Sequence, residues 1–224
     1  MRIATWNLHE AVGIDGRCLP ARIARVLTEL DADLVALQEF SPRHGSVDEL
    51  ADQLEYAAQA KLVVMPTFLK RGRPFGNALL SRSPIVSVEA RELAIERREP
   101  RNAIDARVEW AGQPLRVLAT HLGLRRTERI RQVEFLDALL EDDAPTVLLG
   151  DFNEWRLRGS LAAIERRLTR APAPPTFPSP YPVARLDRIF ASASLRISDV
   201  HVHRSRSASL ASDHLPLVAT LDIA

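Results

Sequence analysis

Six polar segments of the chain carry the residue types that phosphate-ester or metal chemistry needs. They are Asn7, Gln38-Glu39, His121, Asp151 with Asn153, Asp187, and Asp213-His214. Asparagine, glutamate and aspartate offer hard oxygen donors, which suit Mg²⁺ or Mn²⁺ and not zinc. Two histidines and a further aspartate would supply the proton and charge handling that hydrolysis of a phosphate ester requires. Taken singly, each has an ordinary alternative. Asn7 reads as a turn residue, Glu39 as a solvated strand end, Gly150-Asp151-Phe152-Asn153 as an Asx turn, and Asp213-His214 as a local hydrogen-bonded pair. What joins them is position. Each falls at the boundary of an apolar run, and loops at strand ends are where α/β scaffolds place functional groups.

The apolar runs set the elements that must hold these residues. Ile3 to Leu8, Leu34 to Leu37, Leu62 to Met65, Ala78 to Leu80, Val86 to Leu93, Ala103 to Trp110, Leu115 to Thr120 and Thr146 to Leu149 read as strands. Arg188 to Phe190, Arg196 to His203 and Leu217 to Leu221 close the chain in the same way. Pro20 opens a helix to Leu30 with Ile23, Val26, Leu27 and Leu30 on one face. A second helix is expected over Val47 to Ala58. A third runs from Thr127 to Leu140, its apolar side formed by Ile130, Val133, Phe135, Leu136, Leu139 and Leu140. The proline cluster Pro172 to Pro182 excludes helix and central strand and is expected to be a surface loop. Strands alternating with amphipathic stretches indicate an α/β or α+β layered architecture in a single domain over residues 1–224.

Composition narrows the partners. Thirty Lys and Arg against 29 Asp and Glu give a formal net charge of +1, so bulk charge does not call for nucleic acid or an anionic membrane, while a local basic groove stays open. The single cysteine, Cys18, excludes an internal disulfide and any zinc site built from cysteines. No apolar run has the length of a membrane span and no apolar leader follows Met1, which makes the cytoplasm the expected compartment. Nothing in the sequence indicates an oligomeric state.

The ordered set Thr5-Trp6-Asn7, Leu37-Gln38-Glu39, Gly76-Asn77-Ala78-Leu79-Leu80-Ser81-Arg82, Thr120-His121-Leu122, Gly150-Asp151-Phe152-Asn153, Leu186-Asp187-Arg188-Ile189 and Ser212-Asp213-His214 resembles the endonuclease/exonuclease/phosphatase superfamily, the deoxyribonuclease I-like fold. The resemblance implies a four-layer α/β sandwich, two packed and mainly antiparallel β-sheets flanked by helices, with the site at one edge. It further implies a divalent-metal-dependent hydrolase of phosphate esters with Mg²⁺ (or Mn²⁺) as cofactor. On this resemblance Asn7, Glu39 and Asp213 are metal-site residues. Asp151 orients or deprotonates the attacking water, Asn153 holds nucleophile or phosphate, and His214 contacts the scissile phosphate with its tautomer set by Asp187. His121 matches the second histidine of the deoxyribonuclease I, sphingomyelinase and inositol-phosphatase branches. Arg101 is a candidate bidentate phosphate clamp, and Asn77 a candidate substrate contact or a loop-shaping residue.

Two departures bear on substrate. Abasic-site endonucleases carry an amide or acid where this chain has His9, and tyrosine where it has His121, which counts against that repair activity. Nucleic acid, a phospholipid headgroup and a small phosphate mono- or diester are the substrate classes left open. A non-catalytic module that keeps the fold and binds a phosphorylated ligand or partner is the alternative. His201 and His203 alternate along a strand and are read as exposed polar positions before a metal pair, and His44 is a candidate at the substrate mouth.

Overall fold

The computed structural model describes residues 1–140, 144–156 and 159–224. In chain order its elements are β1 (Arg2–Asn7), a short turn at His9–Ala11, α1 (Pro20–Leu30), β2 (Leu34–Phe40), α2 (Val47–Ala58), β3 (Lys61–Lys70), β4 (Arg73–Ser81), β5 (Ile85–Glu92) and β6 (Asn102–Trp110). There follow β7 (Gln113–His121), α3 (Arg126–Leu139), β8 (Thr146–Asp151), α4 (Ala162–Arg167), β9 (Thr169–Arg170), β10 (Asp187–Ala191), β11 (Leu195–Val202), α5 (Arg206–Ala211) and β12 (Leu217–Ile223).

The strands form two six-stranded sheets, ordered β11-β12-β1-β2-β4-β3 and β5-β6-β7-β8-β10-β9. Each contains one parallel pair, β1 with β2 and β7 with β8; the other pairings are antiparallel. The chain between each parallel pair holds a helix, α1 in one case and α3 in the other, because parallel neighbours need a crossover. Three apolar clusters account for the layers. Ile23, Leu27, Leu50 and Leu54 from α1 and α2 pack on the outer face of the first sheet with Leu37 and Leu80. Ile3, Leu79, Val117, Leu149 and Ile189 fill the space between the sheets. Leu148 and Phe190 meet Val133 and Leu136 of α3 and Ile164 of α4 on the far side. Helix, sheet, sheet, helix is the four-layer sandwich expected from the resemblance. Among the described residues no helix is long and apolar enough to cross a membrane.

Several local expectations change. β3 and β4 are far longer than their apolar cores, since hairpin hydrogen bonds carry both strands outward to the Lys70–Arg73 pairing. The short elements α4, α5 and β9 have too little periodicity to be read from sequence. On α3, Phe135 is 50% exposed, and the buried face includes Glu128, Arg129 and Gln132. Those polar groups are buried because they hold loops: Gln132 accepts from Gly123 N and donates to Leu93 O, and Arg129 donates to Gly123 O and Leu124 O. The proline-rich segment is not wholly at the surface, for Thr176 and Ser179 are buried and Phe177 bridges to Ala184. His201 bonds its own turn at Asp199 O, while His203 turns to Glu29, so the two do not form a pair.

Candidate active site

The C-terminal ends of the two parallel pairs meet at one edge of the sandwich. Asn7 lies opposite Gln38 in one sheet and His121 opposite Asp151 in the other. Parallel strands point all their carboxyl ends the same way, so the loops that leave them converge there. In the second sheet Gly150 permits the close approach of β7 and β8: a Cβ on it would lie 1.9 Å from Thr120 O. In the first, a register shift between Leu37 and Phe40 turns the end of β2, and Glu39 adopts a left-handed φ of 52°. Such a bulge re-aims a side chain that the strand alternation would otherwise direct elsewhere.

Asp151 is the hub. Its Oδ1 accepts from Asn153 N at 2.9 Å, and its Oδ2 accepts from Asn7 Nδ2 at 3.1 Å. The same Oδ2 lies 3.5 Å from His121 Nε2 and 3.7 Å from His214 Nε2. The Asx-turn reading and the functional reading of this segment therefore share one carboxylate, each taking one oxygen. Asn153 completes the turn in the left-handed region, φ 50°, a conformation asparagine tolerates.

His214 is held from both sides. Asp187 Oδ2 lies 2.9 Å from its Nδ1 and also accepts from Thr176 Oγ1, while the Phe177 ring packs 4.9 Å from the imidazole. Trp6 Nε1 donates to His214 O and Ser212 Oγ donates to Asn7 O, tying the β12 approach to the end of β1. Burial of His214 opposes its protonation, but the Asp187 and Asp151 carboxylates outweigh that and raise its pKa to about 10. Asp151 moves up to about 6 through desolvation, with Asp187 adding repulsion and His214 and Asn7 opposing the shift. His121 goes the other way. Burial, then the charges of Arg101, His214 and Lys70, hold it well below the ordinary histidine range. Its nearest ring contacts are nitrogen donors, Arg101 at 3.3 Å from Nδ1 and Asn153 Nδ2 at 3.1 Å from Nε2, which oppose a second ring proton.

Arg101 is buried, paired with Glu99 at 2.9 Å and directed at His121. Asn77 is also buried, but its amide donates to Asn102 O and Oδ1, so it joins β4 to β6 and does not touch the Asp151 cluster. Asn102 in turn reaches Met65 O. His44 is exposed in the loop before α2.

Asn7, Glu39 and Asp213 lie on the first-sheet side. Asn7 Nδ2 is 3.3 Å from Glu39 Oε1, and Ser212 Oγ bonds both Asn7 O and Asp213 Oδ1. Glu39 and Asp213 are partly exposed, and among the described residues no arginine or lysine pairs with either. His9 Nδ1 lies 3.8 Å from Asp213 Oδ1, and Asn7 Oδ1 accepts from His9 N. Partly open carboxylates and an amide are the oxygen donors that a hard divalent cation takes. A tighter group, Asp151, Asp187 and His214, brings ligand atoms within 4.8 Å of one another. There the Asp187 and His214 atoms already face each other across a hydrogen bond.

Trp6 and Ser212 stand in the motifs quoted above without a task, and Thr176, Arg129, Gln132 and Glu154 were not read as site residues. Glu154 is 1% exposed, contacts Arg129 and accepts from Ser160, and so pins the loop after Asn153. An acid directly after Asp151-Phe152-Asn153 was the available signal.

A double-sheet sandwich whose strand ends gather two histidines, four acids and two amides defines a phosphoesterase scaffold. The chain belongs to the Endonuclease/Exonuclease/phosphatase family, whose model matches residues 4–214 and whose members are hydrolases acting on phosphate esters, generally with a divalent metal. It is 28% identical to the uncharacterized protein YbhP of Escherichia coli strain K12 over 99% of this chain and 96% of that protein. An endonuclease/exonuclease/phosphatase structure from Beutenbergia cavernae superposes with a TM-score of 0.82 and 26% identity, covering 100% of this chain and 71% of the other. The mannosyl-6-phosphatase Bt3783 of Bacteroides thetaiotaomicron shares the fold at a TM-score of 0.75 and 19% identity, with 100% of each chain covered.

Proposed function

We propose that this protein is a Mg²⁺- or Mn²⁺-dependent phosphoesterase that hydrolyses a phosphodiester or phosphomonoester by attack of water. The observation that carries the reading is Asp151 Oδ2, set between Asn7, His121 and His214 at one sheet edge. Its environment separates the roles. A carboxyl group poised near neutrality suits the base that takes a proton from water, and an imidazolium held by Asp187 suits the acid and the phosphate contact. His121, kept neutral, and Arg101 then offer N–H groups to phosphate oxygens, and Asn153 orients the attacked group. Asn7, Glu39 and Asp213 would hold the cation, which when bound neutralises charge developing on the phosphate oxygens. Nucleic acid, phospholipid headgroup and small phosphate ester are the candidate substrates.

The test is hydrolysis of a chromogenic phosphodiester beside its monoester with Mg²⁺ or Mn²⁺, compared with Asp151→Ala. The expected result is metal-dependent turnover that falls on the order of 10³-fold in the variant. Turnover unchanged in a folded Asp151→Ala protein would overturn the assignment. Phosphate-ligand binding without turnover in the parent would favour the binding-module reading.

A further inference from the structure

Consecutive side chains of a strand face opposite sides of its sheet, and β10 shows the division. Ile189 joins the apolar layer between the sheets, while Phe190 joins the layer under α3 and α4. Asp187 therefore shares the inner face with Ile189 and meets His214, and Arg188 shares the outer face with Phe190. Arg188 lines a groove of about 600 Å³ that the catalytic reading does not use.

Three more arginines line the same groove, Arg156, Arg170 and Arg185, and among the described residues no acidic side chain does. Those three are exposed, whereas Arg188 is 6% exposed. Its Nη1 donates to Asp187 O and its Nη2 to Glu154 O, and its Nε has no partner among the described residues. Both acceptors are neutral carbonyls, so a buried guanidinium stands without a paired carboxylate. A buried charge left unpaired is costly. Burial, then the charge of Arg170, with Arg185 adding to it, lowers the Arg188 pKa to about 10 against the opposing pull of Asp187 and Glu165. Of the four, only Arg170 forms an ion pair among the described residues, with Glu165 at 2.7 Å. Arg185 Nε is bonded to Ala173 O. In a chain of net charge +1, this surplus of positive charge is local.

We propose that this groove is a binding site for a small divalent oxyanion, seated against Arg188 and Arg185 and separate from the catalytic cluster. The proposal does not depend on the phosphoesterase reading. Guanidinium groups hold oxyanions through charge-assisted hydrogen bonds in a fixed fork geometry, and two negative charges answer the surplus better than one. The bound ion supplies the counter-charge that Arg188 lacks, so it lowers the cost of burying that side chain. Arg188 holds the carbonyl of Glu154, the residue after Asn153. Occupancy of the groove thus stabilises the fold and the segment that follows β8.

The test uses the intact protein in EDTA, with sulfate replacing chloride at constant ionic strength. Binding is read by titration calorimetry and by thermal melting. The expected result is saturable binding near one sulfate per chain, with a rise in Tm of about 5 °C at about a hundred times the dissociation constant. Arg188→Met loses the calorimetric binding and most of the Tm rise. What persists there is the general stabilisation by sulfate, which is excluded from protein surfaces. Arg185→Ala, at an exposed position, raises the dissociation constant about tenfold, and it decides the matter alone if Arg188→Met does not fold. Arg101→Ala, beside His121, binds sulfate as the parent does. No saturable binding in the parent overturns the proposal. So does binding that survives in both groove variants, or binding that is lost in Arg101→Ala, which would place the ion at the catalytic cluster.

Discussion

β1 and β2 end in Asn7 and Glu39, with Asp213 alongside; β7 and β8 end in His121 and Asp151, with Asp187 and His214 alongside. The same arrangement of parallel strands thus builds both halves of the site, yet the environments differ. On the first side two carboxylates are partly exposed, and the basic group nearest to them is His9, 3.8 Å from Asp213. On the second, Asp151 is 1% exposed and Asp187 is fully buried, and every acid faces a histidine. The difference teaches that burial, more than residue type, divides labour here. Enclosure with imidazoles desolvates Asp151 and lifts its pKa, whereas Glu39 and Asp213 stay partly open to solvent.

The backbone behind the first half is strained. His9, Glu10 and Ala11 all have positive φ, at 49°, 56° and 57°. Consecutive left-handed residues without glycine are costly, and the turn is held by Glu10, which is buried and contacts Arg43, Lys70 and Arg71. The second half needs no such turn, since Arg129, Gln132 and Glu154 secure its loops with ordinary buried hydrogen bonds.

The sharpest way to break the contrast is Asp187→Asn. It removes the charge that fixes His214 while keeping the shape, and the expected loss is about 3 kcal/mol of stability in urea unfolding. A loss below about 0.5 kcal/mol would mean that the buried half is not held by its ion pair. Next is Glu10→Gln, which leaves three cations facing an amide, at an expected cost of about 2 kcal/mol near pH 7. Burial raises the Glu10 pKa, but Lys70, Arg71 and Arg43 more than offset this and hold it below 4.5. A depressed pKa contributes stability above the unfolded value that is lost as pH falls through the folded one. Parent and variant should therefore converge in acid, and a gap that persists at pH 2 would contradict the ion-pair account. The smallest stability effect is expected for Glu39→Gln, within about 0.5 kcal/mol by thermal melting. The same variant should raise the Mg²⁺ concentration for half-maximal turnover about tenfold. An unchanged metal requirement would remove Glu39 from the cation side.

Much of this was legible because it is local. The spacing of Ile23, Val26, Leu27 and Leu30 sufficed to place α1, and the apolar run Thr146 to Leu149 sufficed for most of β8. α3 misled in part. Of its six apolar positions only Phe135 faces solvent, but Arg129 and Gln132 are buried too, for loops that the helix pattern does not mention. Asn77, grouped with substrate contacts, was more readily read as a loop-shaping residue, and its bonds to Asn102 join β4 to β6. The proline segment hid Thr176 and Phe177, whose contacts with Asp187 and His214 come from the far end of a loop.

The sequence by itself determined the alternation of strands and helices, the order of donors at strand ends, and the hard-oxygen character of Asn7, Glu39 and Asp213. Those follow from residue type and short-range periodicity. Only the tertiary structure decided which donors meet and how deeply each of them is enclosed. Asn7 reaches Asp151 across 144 positions and Trp6 reaches His214 across 208. Protonation and local charge depend on what is enclosed with what, and a linear pattern does not contain enclosure.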